Sequence, residues 1–213
     1  NCKLGGYCIG TCYDGNRIFN ALKTKKKGDS IFYLKKDKKI WSIKKMYDHE
    51  TFENNESCLG YDIEVYQESI NKNFIEYLVN FEYFTTLMLN YGFALLSTSE
   101  ANDIGLPSSM GSFELLYNKM QSEIESKTLS TKYLGESMNM SEEEKNISFY
   151  NNYFVFKKIR NVNVKNVFEI EIAKTQGVSD GGEHKTRDMI REIMAQKIQR
   201  VFIRKFKKKF KLP

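Results

Sequence analysis

Proline is nearly absent, with two in 213 residues, and histidine is as scarce, with only His49 and His184. Neither histidine stands at ligand spacing from another metal-binding side chain, and both sit in polar surroundings. The four cysteines, Cys2, Cys8, Cys12 and Cys58, include no CxxC pair. They make no metal pattern and read as free thiols in a reducing compartment. No run of 18 apolar residues occurs, so no segment reads as a membrane-spanning helix, and no signal peptide is recognisable. The glycine-rich loop that should follow the first strand of a cofactor-binding α/β sheet is missing as well. "SDGGEH" (179–184) precedes a basic helix with no strand before it, and "GLPSSMGS" (105–112) reads as a turn.

What is present is a folded chain. It is 41% hydrophobic and 14% aromatic, which suits one well-buried domain with an appendage. The net charge of +6 is unevenly placed: residues 184–213 hold 11 of the 33 Lys and Arg but 2 of the 27 acids, a net +9. The preceding residues therefore carry −3, and the basic character belongs to the tail. The chain opens at Asn1, without methionine, just before an apolar strand, and reads as a cut through a larger protein.

Along the chain, "GGYCIGT" (5–11) reads as a short buried strand, and "YDGNRIFNALK" as a loop entering a short helix. "KTKKKGDS" is an exposed basic turn. Residues 31–47 form two apolar stretches about "KKDKK", a hairpin whose lysines are a solvated face or a nucleic-acid contact. "FEYFTTLMLNYG" predicts an amphipathic helix stopped by Gly92, "FALLS" a strand, and "SSMGSFELLYNKMQSEIES" a helix. Ser141 is placed to cap a helix in "SEEEKNISFYN", and "NYFVFKKI" closes as a strand. The order strand–helix–insert–helix–strand–helix–strand is that of an α/β fold.

Between hairpin and helix lies "YDIEVYQESINKNFIEYLVNF" (61–81). Ile63 and Val65, then Gln67 or Ser69, alternate with Asp62, Glu64 and Tyr66 as in a strand. After the polar turn "SINKN", one carboxylate, Glu76, stands among aromatic, aliphatic and amide neighbours. Such an acid is either solvated at an element's edge, as at a helix start favoured by the macrodipole, or held for a purpose.

"GGYCIGTCYDG", "IEVYQESINKNFIEYLVNFEYFTTLMLNYGFALLS" and "FYNNYFVFKKIRNVN", in this order and spacing, resemble the C-terminal half of the eukaryotic and large-DNA-virus mRNA cap guanine-N7 methyltransferases, with the flavour of giant-virus capping enzymes. The resemblance covers residues 1 to about 165. It implies the C-terminal part of a class I (Rossmann-like) methyltransferase sheet. Residues 5–11 would be the fifth strand, 92–97 the sixth and 150–159 the seventh, with a β-rich cap-binding insertion. Residues 166–213 would be a linker and a basic amphipathic helical tail. The S-adenosylmethionine pocket of such a sheet lies at its first strands, which the resemblance puts upstream. On that reading these residues alone neither bind S-adenosylmethionine nor transfer methyl.

By the same resemblance, Glu76 is similar in role to a carboxylate that accepts hydrogen bonds from the guanine's Watson–Crick edge. Tyr153 falls where the family sets a tyrosine against the cap, with Phe149, Tyr150 and Phe154 close enough to shift the register; core packing is the other reading of each. Tyr66 falls where relatives carry an aromatic beside the guanine. Many relatives have a proline after "GT"; here Tyr13 takes that slot. The implied partners are the 5′ end of capped mRNA and upstream triphosphatase and guanylyltransferase domains or a partner subunit. The implied location is the host cytoplasm or virion for a viral enzyme and the nucleus for a cellular one. The tail helix over 185–211, basic and apolar on one side, is open to RNA, a membrane surface, a partner or a calmodulin-type protein. A reading from another class is a non-catalytic RNA-binding or interaction module that works through this tail.

Overall fold

The computed structural model describes residues 2–176; the predicted tail helix over 185–211 lies outside them. The chain divides into two units, Asn1–Arg160 and Asn161–Pro213, a few residues before the boundary expected at 165. The linker expected after that boundary begins instead inside a helix, Val164–Gln176. Asn163 opens it by accepting from the amides of Lys165 and Asn166 at 3.1 and 3.3 Å.

The first unit starts with β1 (Tyr7–Tyr13). Asp14 then caps α1 (Gly15–Ala21), its carboxylate accepting from the Asn16 and Arg17 amides at 3.0 and 3.3 Å. The basic turn leads into the hairpin β2 (Ser30–Lys35) and β3 (Lys38–Lys45). Its turn is only Lys36 and Asp37, both at positive φ, the conformation a tight hairpin demands. β4 (Asp62–Gln67) and β5 (Lys72–Tyr77) follow, then α2 (Phe81–Asn90), which ends as predicted at Gly92, φ +81°.

Next come β6 (Phe93–Leu95) and α3 (Thr98–Asp103). The helix expected from residue 108 begins as a strand, β7 (Met110–Ser112), before becoming α4 (Phe113–Glu125). α5 (Glu142–Ser148) starts at Ser141, which forms a capping box with Glu144, and β8 (Asn151–Lys158) closes the unit. The 164–176 helix is α6.

Two four-stranded sheets result. The first runs β1-β8-β6, with β7 also on β8, and β8 is antiparallel to all three. The strands expected as fifth, seventh and sixth thus lie side by side in that order. Alternation along β8 gives this sheet two covered faces. Phe154 and Phe156 meet Phe84 of α2 at ring separations of 5.0 and 5.4 Å. On the other face Val155 packs with Leu96 and with Ala101 of α3. Helices on both faces of one sheet are the α/β arrangement read from the sequence. β1 is not the buried strand expected, because Tyr7 and Ile9 on its open side stay exposed.

The second sheet is the antiparallel meander β2-β3-β4-β5, the β-rich insertion. Its inner face and α1 bury Ile18, Leu22, Ile43 and Ile63 completely, with Trp41, Tyr61 and Val65 around them. Each such aliphatic side chain contributes about 1.5–3 kcal/mol over an exposed one. This core seats α1 on the insertion and so fixes the end of β1.

Candidate functional site

Glu76 lies within β5, not at a helix start. Its ladder partner is Ile63. Paired residues share a face, so Glu76 stands on the core side of the second sheet, partly buried. Beyond it the chain runs through buried Leu78 to Val79. Val79 bridges Asp14, and its carbonyl accepts from the Gly15 amide at 2.9 Å. This bridge joins the edge of the insertion to the end of the first sheet and sets Glu76 in electrostatic range of Tyr13.

Tyr13 is the last residue of β1, not part of the loop after it, and is buried. Its hydroxyl accepts from Gln67 Nε2 at 3.0 Å. Burial pushes its pKa up to about 12; the negative charge of Glu76 adds to that rise, and the Gln67 hydrogen bond opposes it. The phenol therefore stays protonated through the neutral range. With its lone pair engaged by Gln67, it has an O–H to donate. A cleft of about 400 Å³ opens beside this pair, with Gln67, Ser69, Ser148 and Asn151 on its wall.

Tyr153 pairs with Thr11 across β1, just as Asn151 pairs with Tyr13. Tyr13, Thr11 and Tyr153 therefore occupy one face of the first sheet. The Tyr153 hydroxyl lies 3.0 Å from Ser108 Oγ and donates to the Ser108 carbonyl at 3.1 Å. Gly111 on β7 makes room for it: a Cβ there would stand 3.0 Å from the Tyr153 hydroxyl and 3.1 Å from Leu115. Among the neighbours that could shift the register, Phe154 faces the opposite side, against α2, and Phe149 packs on Tyr117. Tyr150 packs against the core of the insertion.

The structure does not bring Tyr66 to this group. Tyr66 pairs with Ser42 and Asn73, one step out of phase with Ile63 and Glu76, so its ring is on the outer face. There its hydroxyl donates to Asn71 Oδ1 at 3.3 Å, and Lys39 Nζ stands 5.7 Å from its ring. A one-residue step on a strand reverses the face, and a ten-residue spacing across a hairpin does not reveal which face results. Gln67 and Ser108, which hold the two tyrosine hydroxyls, were not expected at the site. For Gln67 a signal existed, since alternation puts it in phase with Ile63 and Val65. For Ser108 none did.

This strand order, with helices on both faces and a meander inserted after α1, is consistent with the Rossmann-like fold of class I methyltransferases. The model of one family, the mRNA (guanine-N(7))-methyltransferase domain, matches residues 1–159, and the chain belongs to that family. The family transfers a methyl group from S-adenosylmethionine to N7 of the guanine that caps mRNA. No curated protein matches the chain at a significant level.

S-adenosylmethionine is the family's methyl donor, and none of the residues placed above is assigned to it. The glycines of close approach are each filled by the protein itself. A Cβ at Gly10 would strike the Phe154 ring at 2.4 Å, and one at Gly15 the Val79 carbonyl at 2.6 Å.

Proposed function

We propose that these residues form the cap-reading side of the methyltransferase, with Glu76 as the guanine reader and Tyr13 and Tyr153 beside it. The observation that carries the reading is that Glu76 lies within electrostatic range of the buried, protonated phenol of Tyr13, where the insertion joins the main sheet. Guanine presents N1–H and exocyclic N2–H side by side, and a carboxylate accepts from both at once. Adenine offers an acceptor where N1–H should be, which leaves buried groups unpaired.

Guanine N7 carries no proton, so the transfer needs no general base. The rate comes from holding N7 in line with the methyl group and from stabilising the positive charge that the base acquires. Glu76 answers that charge, and Tyr13, fixed by Gln67, and Tyr153, fixed by Ser108, supply rigid walls. Tyr66 on the outer face has no part in this set.

Titration with GpppA and ApppA tests the reading. Saturable binding of GpppA at least about tenfold tighter than ApppA is expected, as a missing hydrogen-bond pair predicts. Equal affinity for the two, or RNA binding indifferent to the cap, would contradict it.

A further inference from the structure

A second charged feature lies on the same unit. Residues 23–45 contain ten lysines and two aspartates, a net +8, whereas the rest of the first 183 residues nets −11. The turn after α1 and the exit of β3 enclose a cleft of about 730 Å³, walled by Lys23, Lys25, Lys26, Lys27 and Lys45. Asp48 and Glu50 also line it. Lys27 is paired with Asp48 at 2.9 Å. Lys45 is committed as well, donating to the Lys25 carbonyl at 3.0 Å and lying 4.9 Å over the Tyr47 ring. Lys23, Lys25 and Lys26 enter no ion pair among the described residues.

An independent observation marks the same cleft. The hydroxyl of Tyr47, on its wall, is buried and has no hydrogen-bond partner among the described residues, although the residue is only 3% exposed. Buried hydroxyls are nearly always satisfied, so this one is left for a partner that the described residues do not supply. Burial pushes its pKa up to about 12, which keeps it a donor at neutral pH. The aromatic wall of the cleft, Phe19 and Tyr47, is covered, so the cleft itself presents charge and not the exposed apolar anchor that a membrane surface requires.

We propose that this cleft is a phosphate-binding site for the RNA chain behind the cap. Lys23, Lys25 and Lys26 supply the counter-charge, and the Tyr47 hydroxyl donates to a phosphate oxygen. The proposal rests on capped RNA being the substrate. Lys45, Ile63 and Glu76 stand in one row across β3, β4 and β5, so the cleft wall and the cap reader are about 10 Å apart in backbone on the same sheet. RNA leaving the cap can reach the cleft within its first few nucleotides.

The test is fluorescence anisotropy of uncapped single-stranded RNA, about 12 nucleotides long, with the 213-residue chain over about 50–200 mM salt. Lys23→Glu/Lys26→Glu should weaken binding about tenfold at low salt and reduce the salt slope by about 0.7 for each phosphate no longer neutralised. Lys3→Glu/Lys127→Glu, matched in charge and away from the cleft, should leave affinity within about twofold. Tyr47→Phe should weaken binding about threefold, as for one lost hydrogen bond, with no loss of melting temperature. Glu76→Gln should leave uncapped-RNA affinity unchanged, which separates failure here from failure of the cap reading. Equal effects of the two lysine pairs would overturn the site, and unchanged affinity of Tyr47→Phe would overturn the role of its hydroxyl. Competition by tripolyphosphate without any effect of the cleft variants on RNA would overturn the RNA assignment.

Discussion

Asn80 is 2% exposed and does three jobs at the joint that carries Glu76 towards Tyr13. Its Oδ1 caps α2 by accepting from the Glu82 and Tyr83 amides at 3.1 and 3.2 Å. Its Nδ2 donates to the Glu53 carbonyl at 3.1 Å and to Asn54 Oδ1 at 2.6 Å. Asn80→Ala removes the cap, worth about 1 kcal/mol, and strands two acceptors at about 1 kcal/mol each. With a small cavity added, the expected loss is roughly 2–4 kcal/mol. For a domain of this size that lowers the melting temperature by roughly 4–15 °C. Asn80→Ser, which keeps the capping oxygen, should recover about 1 kcal/mol of the loss. Thermal denaturation followed by circular dichroism reads both variants. A shift below about 2 °C for Asn80→Ala would refute the reasoning, because it would show that neither the cap nor the amide hydrogen bonds hold this joint.

Gly111→Ala presses a methyl group against the Tyr153 hydroxyl, so Tyr153 must move by a few tenths of an ångström. Overpacking of this kind costs about 1–3 kcal/mol, and we expect weaker cap binding than the parent's when both are measured by calorimetry. Glu100 is held down to about 2, first by the hydrogen bond from Lys157 and then by the Ser97 amide and hydroxyl of its capping box. A depressed carboxylate contributes stability that is complete above its unfolded value, about 4.5, and is lost as pH falls towards 2. Melting temperature measured across that window should fall less steeply for Glu100→Gln than for the parent; identical slopes would show that the pair does not couple to folding.

Legibility in the sequence followed the range of the forces involved. Ser141, Gly92 and the hairpin strands were readable because caps, helix stops and alternation are local. α3 was missed although Ser97 and Glu100 carry the capping-box spacing, because a six-residue helix is too short to show periodicity. β7 hid inside serine and glycine turn chemistry, since three residues acquire strand character only from pairing with β8. The "KKDKK" turn narrowed to two residues because Lys36 and Asp37 accept positive φ where asparagine or glycine is usual. At the candidate site, Glu76, Tyr13, Tyr153 and Tyr66 were all named from family resemblance; the structure sets Glu76 near Tyr13 and puts Tyr66 on the outer face of the meander. The Gln67–Tyr13 hydrogen bond spans 54 positions of chain, and only the register of β4 against the fold could reveal it.

The central claim, that Glu76 reads the cap guanine, meets its most direct test in cap methylation by the active enzyme carrying Glu76→Gln. The amide keeps the shape but turns one acceptor into a donor that faces a guanine N–H, and it removes the negative charge. Loss of such a charge-assisted pair costs on the order of 2–4 kcal/mol, or about 30- to 1000-fold in kcat/KM, with a melting temperature close to the parent's. The exposed-helix control Glu125→Ala should stay within about twofold. A Glu76→Gln enzyme that melts early while its folded fraction methylates at the parental rate would contradict the account and make Glu76 a structural acid.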